Sequence, residues 1–262
     1  MLELSHHEDV IGLKTVVPAI GFQVNVYFYY IDGLLVDTGP KRGKKDIVPY
    51  IQKTKIDQVV VTHHHEDHTG LASWIVNNKQ IPLYAHESGI ELCRKNGDMP
   101  YYRKLFWGRR KGFDTQEIPL QVETNKYKFK VIHTPGHADD HVVLLDEENG
   151  RLFGGDLYVL GKPKSIWHFE NIPVLMDSIR KVLTYDFSTV YCCHAGILQD
   201  GKQKLRAKLN YLEESQTKVK ELHKEGKTVK EIANELFPHK NMLNYFSFFD
   251  TSPVHLVKSM LS

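Results

Sequence analysis

The stretch VVVTHHHEDHTG, Val59 to Gly70, sets four histidines and two acids into six consecutive positions directly after an apolar β-branched run. A short valine run bounded by polar residues reads as a buried strand, so the histidines begin where a strand ends. Imidazole nitrogen and carboxylate oxygen are the donors that zinc and related divalent ions favour. Alternate side chains share one side of an extended backbone. His63 and His65 therefore face together, while Asp67 and His68 follow a turn and can face a second ion. A solvent-exposed histidine-rich loop is the plainer alternative, and His64 and Glu66 fit it. The strand-then-loop context favours a metal site.

The same arrangement recurs along the chain. FQVNVYFYYIDGLLVDTG reads as two strands joined at Asp32-Gly33, a two-residue hairpin signal. KIDQVVVTH and IPLYAH read as strands, LASWIV and ESGIELCRK as helical, and HVVLLDEENGRLFGGD as a hairpin turning at Asn149-Gly150. Three apolar strands stop at a histidine-bearing loop, at His63 onward, at His137 in TPGH and at His194 in CHAG, and a fourth stops at Asp156 in GGD. Side chains at strand ends are held rigidly and converge at one edge, where the ligands of a site must lie.

These residues reach a known family. His63-x-His65-x-Asp67-His68, His137, Asp156 and His194, in that order, resemble the metallo-β-lactamase superfamily in its hydrolase branch, over Val16 to about Gly196. LLVDTG, with Asp37, is similar to that family's early strand and its supporting aspartate. The resemblance implies an α/β fold, an αββα sandwich with two metal ions at the sheet edge. His63, His65 and His137 would hold the first ion, Asp67, His68 and His194 the second, and Asp156 would bridge. Nitrogen-rich ligation with two carboxylates offsetting the positive charge agrees with that assignment, and zinc is the expected metal, with manganese or iron as alternatives. A metal-bridging hydroxide would then attack a carbonyl or phosphoryl centre while the ions stabilise the oxyanion. Asp67 and Asp156 are the catalytic carboxylates of that scheme, Asp67 by accepting or orienting a proton.

Within the superfamily, iron-containing reductases carry Glu at the place of His65, and β-lactamases usually lack histidine at the place of His68. The span from Asp156 to His194 is too short for the extra nuclease domain of RNA-processing members. What remains is similar to glyoxalase II-type thioesterases and to β-lactamase-like endoribonucleases. The expected reaction is hydrolysis of an ester, thioester or lactone of an anionic small substrate, with phosphodiester or RNA cleavage as the alternative. A mononuclear-iron sulfur dioxygenase is the alternative of another class, disfavoured by the intact Asp67-His68-His194 set.

Bulk properties narrow the setting. Hydrophobic content of 41% and charged content of 25% belong to a folded soluble chain, and a net charge of +2 gives no global field of a dedicated nucleic-acid binder. Neither a leader-like start nor a run of about 18 apolar residues is present, and three cysteines are too few for a disulfide framework. A cytoplasmic protein with no membrane partner is expected. Residues 1–200 read as the catalytic domain and 201–262 as a helical extension of about three helices. That extension carries Leu205, Leu209, Leu212, Val219 and Leu222 at helical spacing, a capping box at Thr228 and Glu231, and Ser252-Pro253 at a helix start. TVKEIANEL is similar to the first helix of a helix-turn-helix, although plain packing explains such a helix more often.

Substrate contacts are sought in the insertion Arg94 to Phe113, which holds seven basic residues among aromatics. Arg103, Arg109 and Arg110, with Trp107, are candidates for an anionic substrate, against a solvated basic face. Tyr158, two residues beyond Asp156, is a candidate oxyanion donor against a buried structural role. The other histidines, His133, His141 and His239 among them, lack a ligand position, and His133 and His141 are candidates for contacts behind the ligands. Cys193 reads as a core side chain.

Overall fold

The computed structural model describes residues 2–19, 22–238 and 242–262, so His239 lies outside the described residues. Seven strands form one sheet in chain order: β1 (Leu2–His7), β2 (Val10–Ala19), β3 (Phe22–Ile31), β4 (Leu34–Val36), β5 (Gln58–Val60), β6 (Leu83–Ala85) and β7 (Gln116–Glu117). Pairing is antiparallel from β1 to β4 and parallel from β4 to β7. The connections explain the change. Asp32 and Gly33 both take positive φ, 42° and 86°, as a tight two-residue hairpin requires. Parallel neighbours need a crossover, and here the crossovers contain helices: α1 (Lys44–Lys53), then α2 (Glu66–Thr69) with α3 (Ala72–Lys79), then α4 (Ile90–Arg94) with α5 (Tyr101–Trp107).

The second sheet contains β8 (Gln121–Glu123), β9 (Lys128–His133), β10 (Val142–Asp146) and β11 (Arg151–Gly155). A short strand β12 (Ile166–Trp167) and helix α6 (Ile172–Val182) follow, and β13 (Thr189–Cys192) then returns parallel to β11, with β14 (Gly196–Leu198) at the edge. The β10–β11 hairpin is looser than a two-residue turn. Its register pairs Asp146 with Arg151, so four residues, 147–150, form the loop, and Asn149 donates to the Asp146 carboxylate.

The sheets face each other across a shared cluster, with Tyr29, Ile31, Leu34, Val36 and Val60 from one side and Phe129, Val142, Leu144, Phe153 and Tyr191 from the other. Behind the first sheet, Val59 and Val61 pack with Ile47 and Ile51 of α1 and Ala72 and Ile75 of α3. The valine run is thus buried on both faces, which is why it does not alternate with polar residues. Behind the second sheet, Val143, Leu145, Leu152 and Val190 pack with Leu175 and Ile179 of α6. The layers run helix, sheet, sheet, helix, the αββα sandwich expected from the sequence.

After residue 200 come α7 (Gly201–Lys224), α8 (Val229–Leu236), α9 (Met242–Phe246), strand β15 (Thr251–Ser252) and α10 (Pro253–Leu261). Among the described residues there are four helices rather than about three, the additional one being the five-residue α9. Leu205, Leu209, Leu212 and Val219 of α7 join the cluster behind the second sheet. Thr228 and Glu231 form the reciprocal capping box, and Ser252 caps α10 by accepting from the Val254 N–H. β15 pairs antiparallel with β12, which ties the last helix to the segment between Asp156 and His194. No helix among the described residues is long and apolar enough to cross a membrane.

Close packing at Gly70 seats α2. A Cβ there would lie 2.2 Å from the Lys41 nitrogen and 2.6 Å from the Pro40 carbonyl carbon, both backbone atoms. The same two loops are joined by the Thr38 N–H and hydroxyl, which donate to the His68 carbonyl at 2.7 and 2.8 Å. Gly70→Ala should therefore lower stability by about 1–3 kcal/mol, read as a shifted urea midpoint with an unchanged slope; a loss within measurement error would show that the two loops can part.

Candidate metal centre

Five strand ends meet at one edge of the sandwich. Asp37 follows β4, His63 to His68 follow β5, His137 follows β9, Asp156 follows β11 and His194 follows β13. His65 is the N-cap residue of α2, so Asp67 and His68 occupy its first turn, and the His65 carbonyl accepts from the Thr69 N–H at 2.9 Å. The turn before His137 depends on Gly136, at φ 123°, where a Cβ would lie 2.4 Å from the Leu175 nitrogen. Only glycine fits so close to the start of α6 in that conformation.

Two groups result. Nitrogens of His63, His65 and His137 lie within 4.8 Å of one another, and so do ligand atoms of Asp67, His68, Asp156 and His194. His65 Nδ1 stands 2.9 Å from His63 Nε2 and 3.1 Å from His137 Nε2. Asp156 Oδ2 lies between the groups, 3.3 Å from His137 Nε2, 3.5 Å from His68 Nε2 and 3.2 Å from His194 Nε2. Asp67 Oδ2 is 3.3 Å from His194 Nε2.

This donor set fits divalent ions. His68 Nε2 and Asp156 Oδ1 are buried without a hydrogen-bond partner among the described residues, an arrangement that is costly unless something else satisfies them. Burial, reinforced in His63 by His68 and in His65 by His64, holds both imidazoles well below their ordinary pKa and so neutral, the form that ligates metal. Burial would also lower His194 and His68, but Asp156 beside His194, and Asp37 and Asp156 beside His68, more than reverse it and raise both. Burial pushes the Asp156 carboxyl up, and His194 and His68 overcome it, holding the group well below the usual carboxylate range.

Behind the ligands stands a second set of contacts that fixes which nitrogen each ring presents. Asp37, at φ 63°, accepts the Thr62 N–H on Oδ1 at 2.7 Å, and its Oδ2 lies 2.8 Å from His68 Nδ1. Cys193 Sγ donates to the same Oδ2 at 3.2 Å, so this buried thiol supports the site as well as the core. Thr62 Oγ1 is 3.1 Å from His63 Nδ1, the Asn25 carbonyl 2.9 Å from His194 Nδ1, and Glu170 Oε1 3.4 Å from His137 Nδ1. His141 takes the supporting position expected for it. Its Nε2 accepts the Asp156 N–H at 3.0 Å, and burial with neighbouring His137 pushes its pKa down to about 3, which keeps that nitrogen an acceptor. His133 instead stacks on His86 and bonds the Asp139 carbonyl. Thr62, Asn25 and Glu170 carry no sequence signal beyond proximity to a motif, and Glu170 lacks even that.

The candidate substrate residues separate. Arg103 is buried, donates to Glu66 Oε2 at 2.6 and 3.1 Å, and lies over the rings of Trp167 and Phe169. Phe169 in turn packs edge-on against His65 at 5.2 Å. Glu66 is thus a partner for Arg103 rather than a solvated loop residue. Arg110 turns inward onto the carbonyls of Cys93 and Leu92, and Trp107 is buried with Val17, Val26 and Phe106. Arg109 is exposed. Tyr158 is half-buried against the helices behind the second sheet.

Comparison with known proteins agrees with this picture. Residues 19–194 match the model of the metallo-beta-lactamase superfamily. A probable metallo-hydrolase of Bacillus subtilis is 28% identical over 57% of this chain and 57% of its own length. An atrochrysone carboxyl ACP thioesterase of Aspergillus fumigatus is 26% identical over 74% of this chain and 42% of its own length. The chain therefore spans about half the length of these curated relatives. Among solved structures, a metallo-beta-lactamase family protein from Thermus thermophilus superposes with a TM-score of 0.69 at 21% identity, covering 96% of this chain and 93% of that one, which speaks to the fold. With its two histidine and aspartate groups at the sandwich edge and a family match across two thirds of its length, the chain belongs to the metallo-beta-lactamase superfamily.

Proposed function

We propose that this chain is a metal-dependent hydrolase of an ester, thioester or lactone, working with two divalent ions, zinc in the first instance and manganese or iron on the same donors. His63, His65 and His137 would hold one ion and Asp67, His68 and His194 the other, with Asp156 available to both. The observation that carries this reading is Asp156 Oδ2, within 3.5 Å of nitrogens from both groups. When bound, two such ions supply Lewis acidity toward a carbonyl and a water that ionises near neutral pH, at a pKa of about 7 in favourable sites. The chain's own residues do the rest. Asp67, kept ionised against burial by His68 and His194, offers a carboxylate oxygen that accepts or orients a proton at the nucleophile. Phe169 packs edge-on against His65 and gives that side of the first group an apolar neighbour.

Acyl rather than phosphoryl transfer is supported by the likeness to a curated thioesterase. An anionic substrate group is the finer part of the reading. Arg103 is already neutralised by Glu66 and Arg110 turns inward, which leaves Arg109, exposed like Lys95 and Lys111, as a cation of the insertion that can meet it. Three buried free cysteines suit a reducing compartment, and we assign the activity to the cytoplasm and the chemistry to residues 1–200, with 201–262 as support.

Protein purified without chelator should carry about two zinc or manganese ions per chain and turn over an ester, thioester or lactone in preference to a phosphodiester. One iron per chain with no hydrolysis would defeat the reading in favour of an oxygenase. Asp156→Ala should lose ion content and at least about 100-fold in kcat/KM together; two retained ions with full activity would remove Asp156 from its shared place. Asp37→Asn turns a double acceptor into a group with a misplaced donor against the Thr62 N–H or the His68 ring, and metal affinity should fall about 10–100-fold, measured by chelator competition. Arg109→Glu should raise KM for a carboxylated ester several-fold more than for its neutral analogue, and equal effects on both would return Arg109 to a solvated face.

A further inference from the structure

Lys208 lies on the buried stripe of α7 among Leu205, Leu209 and Leu212, and it is 3% exposed. Lysine is almost never so buried unless something specific holds it. Its ammonium donates to two consecutive backbone carbonyls, Leu157 O at 2.9 Å and Tyr158 O at 2.6 Å, and no carboxylate pairs with it among the described residues. An apolar side chain would fill the same space without desolvating a charge, but it would leave the Leu157 and Tyr158 carbonyls without this donor.

The carbonyls it grips belong to the turn that leaves Asp156. Leu157 is fully buried, and its N–H donates back to the Gly154 carbonyl at 2.9 Å. Val159, the next residue after the gripped pair, has φ 48°. For a β-branched side chain that left-handed conformation is strained, and such a residue stays there only when its surroundings over-determine it. The Lys208 ammonium is one such determinant, since the two carbonyls it draws together are those that set the path into Val159. On the other side of the turn, the Asp156 N–H is held by His141, and the Asp156 carboxylate stands between the two ligand groups.

We propose that Lys208, supplied by the C-terminal helical extension, is the positioning residue that holds the Leu157–Val159 turn in its strained path and thereby keeps the Asp156 carboxylate in its shared place between the two ligand groups. The inference rests on the two-ion reading and deepens it. The extension is then part of the metal centre's support, reaching the shared carboxylate through one buried ammonium.

The test uses the full chain, with Lys208→Met as an apolar replacement of similar length and Val159→Gly added to it. Zinc affinity of the weaker site is measured by competition with a chromophoric chelator, alongside the unfolding temperature of chelator-treated protein. Lys208→Met should weaken that zinc site about 10–100-fold, the range typical of outer supporting contacts, a larger loss than any accompanying fall of the metal-free unfolding temperature accounts for. Val159→Gly removes the strain that the ammonium opposes, so the double variant should recover at least half of the lost affinity on a logarithmic scale. Unchanged zinc affinity in Lys208→Met overturns the proposal. So does a loss of affinity matched by an equal fall of the metal-free unfolding temperature, because that is ordinary core damage. Parent protein that binds a single ion would sink the two-ion reading separately, and Lys208 would then stand or fall on whether its replacement weakens that one ion.

Discussion

The Asp37 carboxylate is the constraint from which the site is built. It follows the short buried strand β4, and both of its oxygens are committed, one to the Thr62 N–H and the other shared by His68 Nδ1 and the Cys193 thiol. Three chain segments, the ends of β4, β5 and β13, are therefore joined at one buried anion. Each bond is charge-assisted and away from water, where such bonds are strongest. Asp37 itself sits at φ 63°, an unusual place for a residue with a side chain, and the contacts around it are what hold it there.

From that anchor the orientation of the histidines follows by a repeated device. Four of the five rings give one nitrogen to a fixed partner and present the other to the site: His68 to Asp37, His63 to Thr62, His194 to the Asn25 carbonyl, His137 to Glu170. His141 uses the same device at one remove and holds the Asp156 backbone. The sandwich makes this possible because its strands end at one edge. Close contacts at Gly70 and Gly136, where no side chain would fit, bring the loops near enough to share partners.

The surroundings of the site are less open than the composition of the insertion suggests. Arg103 enters the wall as half of a buried ion pair with Glu66 and packs on Trp167 and Phe169. Tyr102 and His168 both bond Asp250, which immediately precedes β15, so the insertion, the β12 segment and the last helices form one continuous wall. The Arg103 charge that looked available for a substrate is used to hold this wall together.

The layers and the residue types that meet at the candidate site are readable from the linear chain. Valine-rich runs that stop at histidine, the Asp32-Gly33 hairpin and the capping signals of α8 and α10 are local patterns, and local patterns survive in a linear reading. The bringing together of His63, His65 and His137 in one group and Asp67, His68, Asp156 and His194 in another was legible only as an expectation from motif order, because no spacing along the chain fixes a distance in space. Pairing at long range belongs to the folded molecule alone. Glu66 with Arg103, Cys193 with Asp37, Glu170 with His137, and Lys208 with the turn after Asp156 each join residues far apart in sequence with no periodic signal. A buried polar group must find a partner somewhere, but which one it finds depends on how the layers stack, and that information is spread over the whole core.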